Sequence, residues 1–150
     1  MPRLQLERSV TVNRPVEIVR AHFLDFEHHI RANVHRSITY TLLASEGEQR
    51  RVRQQFKVLG LPKTDELLVA PSADGAVVQS FEKGDFAGGS LVFRFTSLPE
   101  GGTRITAQLD APLRGMNLLM APLLPTIVAG LVDTGLEEDR LDLQTYNPGR

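Results

Sequence analysis

Alternating apolar and polar positions run through the first twelve residues of the chain. One side of this pattern is apolar, and Arg8 alone interrupts it between Leu4, Leu6, Val10 and Val12. A period of two is typical of a strand with one buried face. The sequence therefore predicts a half-buried strand over residues 3–12.

A helix is predicted to follow this strand. Asn13 can cap the free amide groups, Pro15 fits the first turn, and Glu17 complements the positive end. Apolar residues then recur at helical spacing, namely Val19, Phe23, Phe26 and Ile30. The pattern predicts a helix to about residue 30, with a short second helix or turn over residues 28–34.

From Ser37 the period of two returns, and turn signals divide the chain into six further strands. They are predicted over residues 38–46, 49–60, 64–70, 76–83, 87–98 and 103–109, with Pro62 near a bend. Turns at such short intervals require antiparallel neighbours, because parallel strands need long crossover connections.

The last third of the chain is helical in character. A short lead-in is predicted from Met116 to Met120, and a long helix from about Pro122 to Tyr146. The first half of this helix is apolar nearly all round. Such a helix needs partners on several sides, such as a curved sheet that wraps it.

Composition narrows the class of protein. The 150 residues are 41% hydrophobic and 23% charged, which predicts one domain over residues 1–150. The chain contains no cysteine, which excludes disulfides, thiolate metal sites and cysteine nucleophiles. The first residues resemble no signal peptide, so we expect a cytoplasmic protein. No membrane span is expected from the uncharged stretch 115–132, because Pro122 and Pro125 interrupt it.

The net charge of −1 gives no overall attraction to nucleic acid. The densest basic stretch, residues 50–57, places Arg51, Arg53 and Lys57 on one face of a strand. This face could bind an anionic partner, or it could be the solvated face of a strand whose neighbours supply carboxylates. Since no aromatic residues interleave it, we predict no nucleic-acid partner.

All four histidines lie close together in the sequence, at His22, His28, His29 and His35. With Asp25, such a cluster could hold a metal ion or act as a general acid or base. The H-E-x-x-H spacing of many zinc sites is absent. We therefore predict a surface or hydrogen-bonded cluster, with no metal, no cofactor and no catalytic residue assigned.

Two further polar residues lie on apolar faces. Tyr40 shares a face with Ile38 and Leu42, so its hydroxyl could contact a ligand or bond a backbone carbonyl within the core. Arg8 must find a partner, bind an anionic ligand group, or reach water near a sheet end.

Three short segments resemble those of a known superfamily. Residues 10–17 followed by Asp25 are similar to its opening strand, proline, glutamate and helix; residues 101–106 resemble its penultimate turn and strand; and residues 136–141 resemble the end of its long helix. On these segments the chain resembles the START-like (SRPBCC, helix-grip) superfamily, in its polyketide cyclase/dehydrase-like branch. One departure is Ile18–Val19, where many members place a tryptophan.

The resemblance implies an α+β helix-grip fold. A seven-stranded curved antiparallel sheet would wrap a long C-terminal helix, with two short helices between strands 1 and 2. A cavity between sheet and helix would bind an apolar small molecule such as a lipid, a polyketide or an aromatic compound. The candidate ligand-binding residues are Arg8, Tyr40, Phe56, Phe81, Phe93, Leu123, Ile127 and Leu131.

Two functions remain open, and whether the protein is an enzyme is not decided. The first is binding or carriage of an apolar small molecule; the alternative is a cyclase, dehydratase or aromatase acting on a polyketide-like substrate. Two or more polar side chains that converge on the cavity would favour the enzyme. An apolar lining with one polar anchor would favour the carrier. The sequence predicts no oligomeric state.

Overall fold

Seven antiparallel strands form one curved sheet against a long C-terminal helix in the computed structural model, which describes residues 2–149. The strands are β1 (Arg3–Val12), β2 (Thr39–Glu46), β3 (Gln49–Val58), β4 (Leu61–Pro71), β5 (Val77–Lys83), β6 (Ser90–Ser97) and β7 (Thr103–Pro112). The helices are α1 (Val16–Leu24), α2 (Phe26–Arg31), α3 (Gly115–Leu119) and α4 (Leu124–Leu143). The order of strands is β1-β7-β6-β5-β4-β3-β2. This architecture confirms the predicted α+β helix-grip fold.

The turn signals of the sequence predict the pairing of all the strands except β1, at one edge of the sheet. Strands β2 to β7 pair with their neighbours in the chain, whereas β1 pairs with β7, with Leu4 opposite Ala111 and Val12 opposite Thr103. The register shifts between Leu42 and Ala44 in β2, and again in β4. Such bulges increase local twist and bend a strand, which helps the sheet to curve.

The connection between α1 and α2 differs from the prediction of one helix to about residue 30. Asp25 leaves the helical conformation (φ −90°, ψ 74°), and its side chain caps α2 by accepting a hydrogen bond from the His28 N–H at 3.0 Å. The predicted cap by Asn13 is also wrong, because Pro15 occupies that position without a side-chain bond. Since the helix breaks at Asp25, Ile30 leaves the apolar stripe and is exposed.

Two arginines of the N-terminal segment hold α4 in place. The Arg8 guanidinium donates to both carboxylate oxygens of Asp133, at 2.8 and 2.6 Å. Arg14 donates to the carbonyl oxygens of Leu143 and Tyr146, at 2.5 and 2.9 Å, at the C-terminal end of the helix. A cation at this end also complements the helix dipole.

Helix α4 buries only one face of its first half. Leu124 and Val128 are buried, whereas Leu123 is 60% exposed, Leu131 is 39% exposed, and Leu119 in the preceding helix is 78% exposed. The expectation that this segment is covered on several sides is therefore wrong, because sheet and short helices reach one side of it. The part of the chain that the structure describes contains no helix long and apolar enough to cross a membrane.

The basic face of β3 pairs with carboxylates on neighbouring elements. Arg53 lies 3.5 Å from Glu66 on β4, and Arg51 forms an ion pair with Glu82 on β5. The pattern of arginines is therefore that of a solvated strand face whose neighbours supply the opposite charge, as one of the two interpretations of the sequence expected.

Gly130 provides a test of how backbone entropy affects the stability of α4. It lies exposed in the interior of α4, and a Cβ atom added there meets nothing within 4 Å. We expect Gly130→Ala to raise the free energy of unfolding by about 0.5–1 kcal/mol, since alanine loses less backbone entropy in a helix. Urea unfolding of the two proteins measures this difference.

Candidate functional site

A cavity of about 280 Å³ lies between the sheet and α4. Its wall contains six of the seven phenylalanines of the chain, namely Phe23, Phe26, Phe56, Phe81, Phe86 and Phe93. Aliphatic residues complete the apolar part, with Leu91 and Leu109 from the sheet and Val128 and Val132 from α4. The cavity is therefore suited to an apolar ligand.

One part of the wall is polar. His29 and His35 come from the segment between α1 and β2, Tyr40 from β2, and Glu138 and Asp139 from α4. These residues are far apart in the sequence and meet where His29 and His35 contact the carboxylates of Glu138 and Asp139. Several titratable groups thus line the cavity, which is more than the single polar anchor expected of a carrier.

Most of the predicted ligand-binding residues lie on this wall. These are Tyr40, Phe56, Phe81, Phe93 and Leu131. They satisfy the geometric requirement for contact with a ligand, and their role in binding stays a prediction.

The other three predicted residues, Arg8, Leu123 and Ile127, do not line this cavity, and their role in binding stays a prediction. Arg8 forms its ion pair with Asp133 outside the cavity. Leu123 precedes the first turn of α4 and is largely exposed. Ile127 lies on α4 one turn before the lining residue Leu131, and it is not part of the cavity wall.

Every histidine of the chain contacts a carboxylate of α4. His22 and His28 contact Asp142 through their Nε2 atoms, at 2.8 and 2.6 Å. The Nε2 atoms of His29 and His35 lie 3.3 and 3.2 Å from Asp139 Oδ1. We call these four histidines with Asp139 and Asp142 the histidine–acid cluster; it confirms the predicted hydrogen-bonded cluster, but inside the fold rather than on its surface.

The charges within this cluster follow from its burial. Burial opposes a positive charge on His35, but Asp139 and Glu138 more than offset this effect and raise its pKa to about 9. Burial likewise opposes the negative charge of Asp139, yet His35 and His29 hold its pKa well below the usual range. Burial lowers the pKa of His22. At neutral pH the cluster thus contains a charged His35–Asp139 pair and an uncharged His22.

Tyr40 is the one phenol on the cavity wall. Its ring packs edge-on against Phe26 and His35. Burial, together with the charges of Asp139 and Glu138, raises the pKa of its hydroxyl above the usual value. The hydroxyl therefore stays protonated and can donate a hydrogen bond.

Sequence reasoning missed the acidic half of this site. Glu138, Asp139 and Asp142 lie at spacings of one, three and four residues, which places them on adjoining faces of α4. The available signal was the combination of this acidic face with four histidines elsewhere in the chain. Only the contact between α4 and α2 shows that the two groups meet.

A buried carboxylate near the cavity predicts a specific pH dependence of stability. Asp65 is 1% exposed and accepts a hydrogen bond from the cavity residue Gln54 at 2.9 Å. Burial raises its pKa to about 6, although Gln54 opposes the shift. The folded state therefore holds this proton more tightly than the unfolded chain, and the stabilisation present below about pH 4 is lost as the pH rises through 6.

We expect this group to lower the free energy of unfolding by up to about 3 kcal/mol between acidic and neutral pH. Asp65→Asn should remove this part of the pH dependence and unfold at higher denaturant concentration than the original protein at pH 8. Denaturant unfolding across this pH range measures both effects. An unchanged pH profile in the variant would show that Asp65 titrates normally.

The structure resembles solved structures along nearly its whole length. The Thermus thermophilus protein TTHA0849 aligns with a TM-score of 0.80 at 19% identity, covering 95% of this chain and 97% of that chain. The Zhui aromatase/cyclase from Streptomyces sp. R1128 gives 0.78 at 17% identity, over 95% and 94% of the two chains. A START superfamily protein from Mycobacterium smegmatis gives 0.75 at 16%, over 93% and 97%. At these identities the likeness shows the fold alone.

The sequence itself identifies the family. No curated protein matches the chain significantly. The model of the family described as polyketide cyclase/dehydrase and lipid transport, however, matches residues 3–138. This match includes all seven strands and most of α4, and with them every residue of the cavity wall except Asp139. The chain therefore belongs to the polyketide cyclase/dehydrase and lipid transport family.

Proposed function

We propose that this protein binds an apolar small molecule in the cavity between the sheet and α4. The observation that carries the proposal is the composition of the wall, in which aromatic and aliphatic side chains surround about 280 Å³. Burial of apolar ligand surface supplies roughly 25 cal/mol for each Å² removed from water. The family description, which includes lipid transport, is consistent with this role.

The polar part of the wall gives the ligand an orientation. Tyr40 can donate to a ligand oxygen, and His35 carries a positive charge beside it. A ligand that is apolar along most of its length and has a hydroxyl, carbonyl or carboxylate at one end matches this distribution. The volume lies just below the usual range for small-molecule sites, which favours a compact aromatic compound or a short lipid chain.

The proposal is tested by native mass spectrometry of the protein purified from its own host. We expect a noncovalent adduct whose released mass and fragmentation are those of an apolar compound. A protein that is consistently empty, and that also fails to bind a panel of fatty acids and aromatic compounds, would contradict the proposal.

A second candidate function is a cyclase or dehydratase acting on a polyketide-like substrate. It is favoured by the convergence of His29, His35, Tyr40, Glu138 and Asp139 on one part of the wall, the arrangement expected of an enzyme rather than a carrier. The protonated Tyr40 hydroxyl is a suitable donor to a substrate carbonyl oxygen, which makes the neighbouring carbon more electrophilic. The two ring nitrogens of His35 already contact Glu138 and Asp139, so this histidine would act by its charge.

The enzyme is distinguished from the carrier by its products. With a linear poly-β-carbonyl compound as the probe, an enzyme should give a cyclic product of the same mass, or one lighter by a single water, when examined by mass spectrometry. Tyr40→Phe should slow this conversion without preventing binding of the probe. If the probe were converted no faster with the protein than without it, binding or carriage would remain as the function.

A further inference from the structure

Two of the buried histidines present ring nitrogens to one buried carboxylate. His22 Nδ1 lies 3.9 Å from Asp139 Oδ1, and His29 Nε2 lies 3.3 Å from the same oxygen. All three side chains are buried, and His22 is completely inaccessible to solvent. The three ligand atoms lie within 4.8 Å of one another. These residues are called the inner triad below.

In each ring one nitrogen faces the inner triad and the other, outer nitrogen faces away from it. The hydrogen bond of the outer nitrogen determines whether the inner nitrogen carries a hydrogen or a lone pair. His22 Nε2 contacts the Asp142 carboxylate at 2.8 Å, and His29 Nδ1 contacts the Asp25 carbonyl oxygen at 2.9 Å. Both partners are acceptors, so the outer nitrogen of each ring must carry the hydrogen. A neutral ring then has its lone pair on the inner nitrogen. The lone pair of the neutral His22 is thus directed towards the negatively charged Asp139, whereas His29 Nε2 shares a hydrogen bond with Asp139 Oδ1 and offers its lone pair once that proton leaves.

His22 Nδ1 is an unsatisfied atom. Among residues 2–149 it is the one buried side-chain nitrogen or oxygen without a hydrogen-bond partner. An unpaired buried polar atom costs about 1–3 kcal/mol, so its retention calls for an explanation. A cation placed between His22 Nδ1, His29 Nε2 and Asp139 Oδ1 would satisfy this atom, separate its lone pair from the carboxylate, and displace the proton of the His29–Asp139 hydrogen bond into solvent.

We propose that the inner triad, His22 Nδ1, His29 Nε2 and Asp139 Oδ1, binds a divalent first-row transition-metal ion such as zinc or iron(II). In a tetrahedral zinc site with bonds of about 2.0–2.1 Å, neighbouring ligand atoms lie about 3.3–3.4 Å apart. The His29–Asp139 separation already has this value, and the His22–Asp139 separation exceeds it by about half an ångström. Two imidazoles and one carboxylate favour such ions over magnesium or calcium.

The surroundings of the inner triad match those of metal sites. A ligating histidine ordinarily donates its second N–H to a carboxylate or a backbone carbonyl, as His22 and His29 do here. A ligating carboxylate is ordinarily hydrogen-bonded as well, and His35 Nε2 lies 3.2 Å from Asp139 Oδ1. Three protein ligands leave coordination positions free, as in catalytic metal sites. Since His29 and Asp139 also line the cavity, the ion would lie at its wall.

A neighbouring group of residues is a weaker candidate. His22, His28 and Asp142 also bring three potential ligand atoms together. Their Nε2 to Oδ2 distances of 2.8 and 2.6 Å are those of hydrogen bonds, with a proton between nitrogen and oxygen. The spacing leaves no room for an ion, so His28 provides a control for the experiment.

The first test uses the unmodified protein. The protein is treated with chelator, titrated with zinc chloride, and followed by long-range ¹H–¹⁵N NMR spectra of its imidazole rings. We expect one zinc ion per chain, with the largest ¹⁵N shifts at His22 Nδ1 and His29 Nε2. Unchanged shifts at millimolar zinc, or shifts confined to His28 and His35, would overturn the proposal.

The second test compares variants by isothermal titration with zinc, with circular dichroism to confirm that each is folded. Asp139→Asn and His29→Gln should weaken zinc binding by well over tenfold, because each removes a ligand. His28→Gln, which removes only a neighbouring ring, should change it by less than about tenfold. Equal binding by all the folded proteins would contradict the assignment. Neither test depends on a ligand in the cavity, so its outcome is independent of the proposed binding function.

Discussion

Replacing Asp139 with alanine is expected to lower the free energy of unfolding by about 3–5 kcal/mol. Asp139 is 3% exposed, and its carboxylate faces the rings of His22, His29 and His35. Its removal leaves the positive charge of His35 buried beside Glu138 alone. The loss should therefore be that of a broken buried ion pair rather than that of an ordinary surface contact.

The measurement is urea unfolding at neutral pH, with chelator present so that no bound metal ion contributes. Glu137→Ala is the matched control, because Glu137 is exposed on the same helix and pairs with Arg140 only one turn away. It should leave the midpoint almost unchanged. If the two variants lost similar stability, the histidine–acid cluster would not be the structural centre of the contact between α4 and the short helices.

Filling the cavity is expected to prevent ligand binding. Val132 on α4 is partly buried and lines the cavity, so Val132→Trp places a large ring where the ligand is proposed to lie. With 1-anilinonaphthalene-8-sulfonate as the apolar probe, we expect the affinity to fall at least about tenfold, a loss of about 1.4 kcal/mol. Probe fluorescence at increasing protein concentration gives the affinity.

Ile127→Trp is the control for this substitution. Ile127 is also partly buried on α4, but it does not line the cavity. The chain has no tryptophan of its own, so each variant carries a single reporter whose emission also shows whether the protein is folded. Similar affinity for the probe in the two folded variants would show that the probe binds outside the cavity.

The strands could be predicted well because their signals are local. Alternation over residues 3–12 and the turns near Gly47 and Gly101 depend only on neighbouring positions, and the structure has strands there. The break at Asp25 was missed because an aspartate within an apolar stripe is equally compatible with a continuous helix. The structure decides between the two, because the Asp25 side chain caps α2 at the His28 N–H and so ends the first helix.

The site could be predicted only in part, since it depends on distant contacts. The phenylalanines were identified because large apolar residues on strands of a helix-grip fold face its interior. The partners of the histidines were not, because His28 and Asp142 are 114 residues apart. The partner of Arg8 could not be identified for the same reason, as Asp133 is 125 residues away.

Ligand binding between the sheet and α4 is tested by locating an apolar molecule bound to the protein. Methyl-labelled protein is saturated with 1-anilinonaphthalene-8-sulfonate, and intermolecular nuclear Overhauser effects are recorded between the probe and the protein. Binding in the cavity predicts contacts with the methyl groups of Leu109 and Val128, which line it. Contacts confined to Leu119 and Leu123, on the exposed apolar surface at the start of α4, would contradict it.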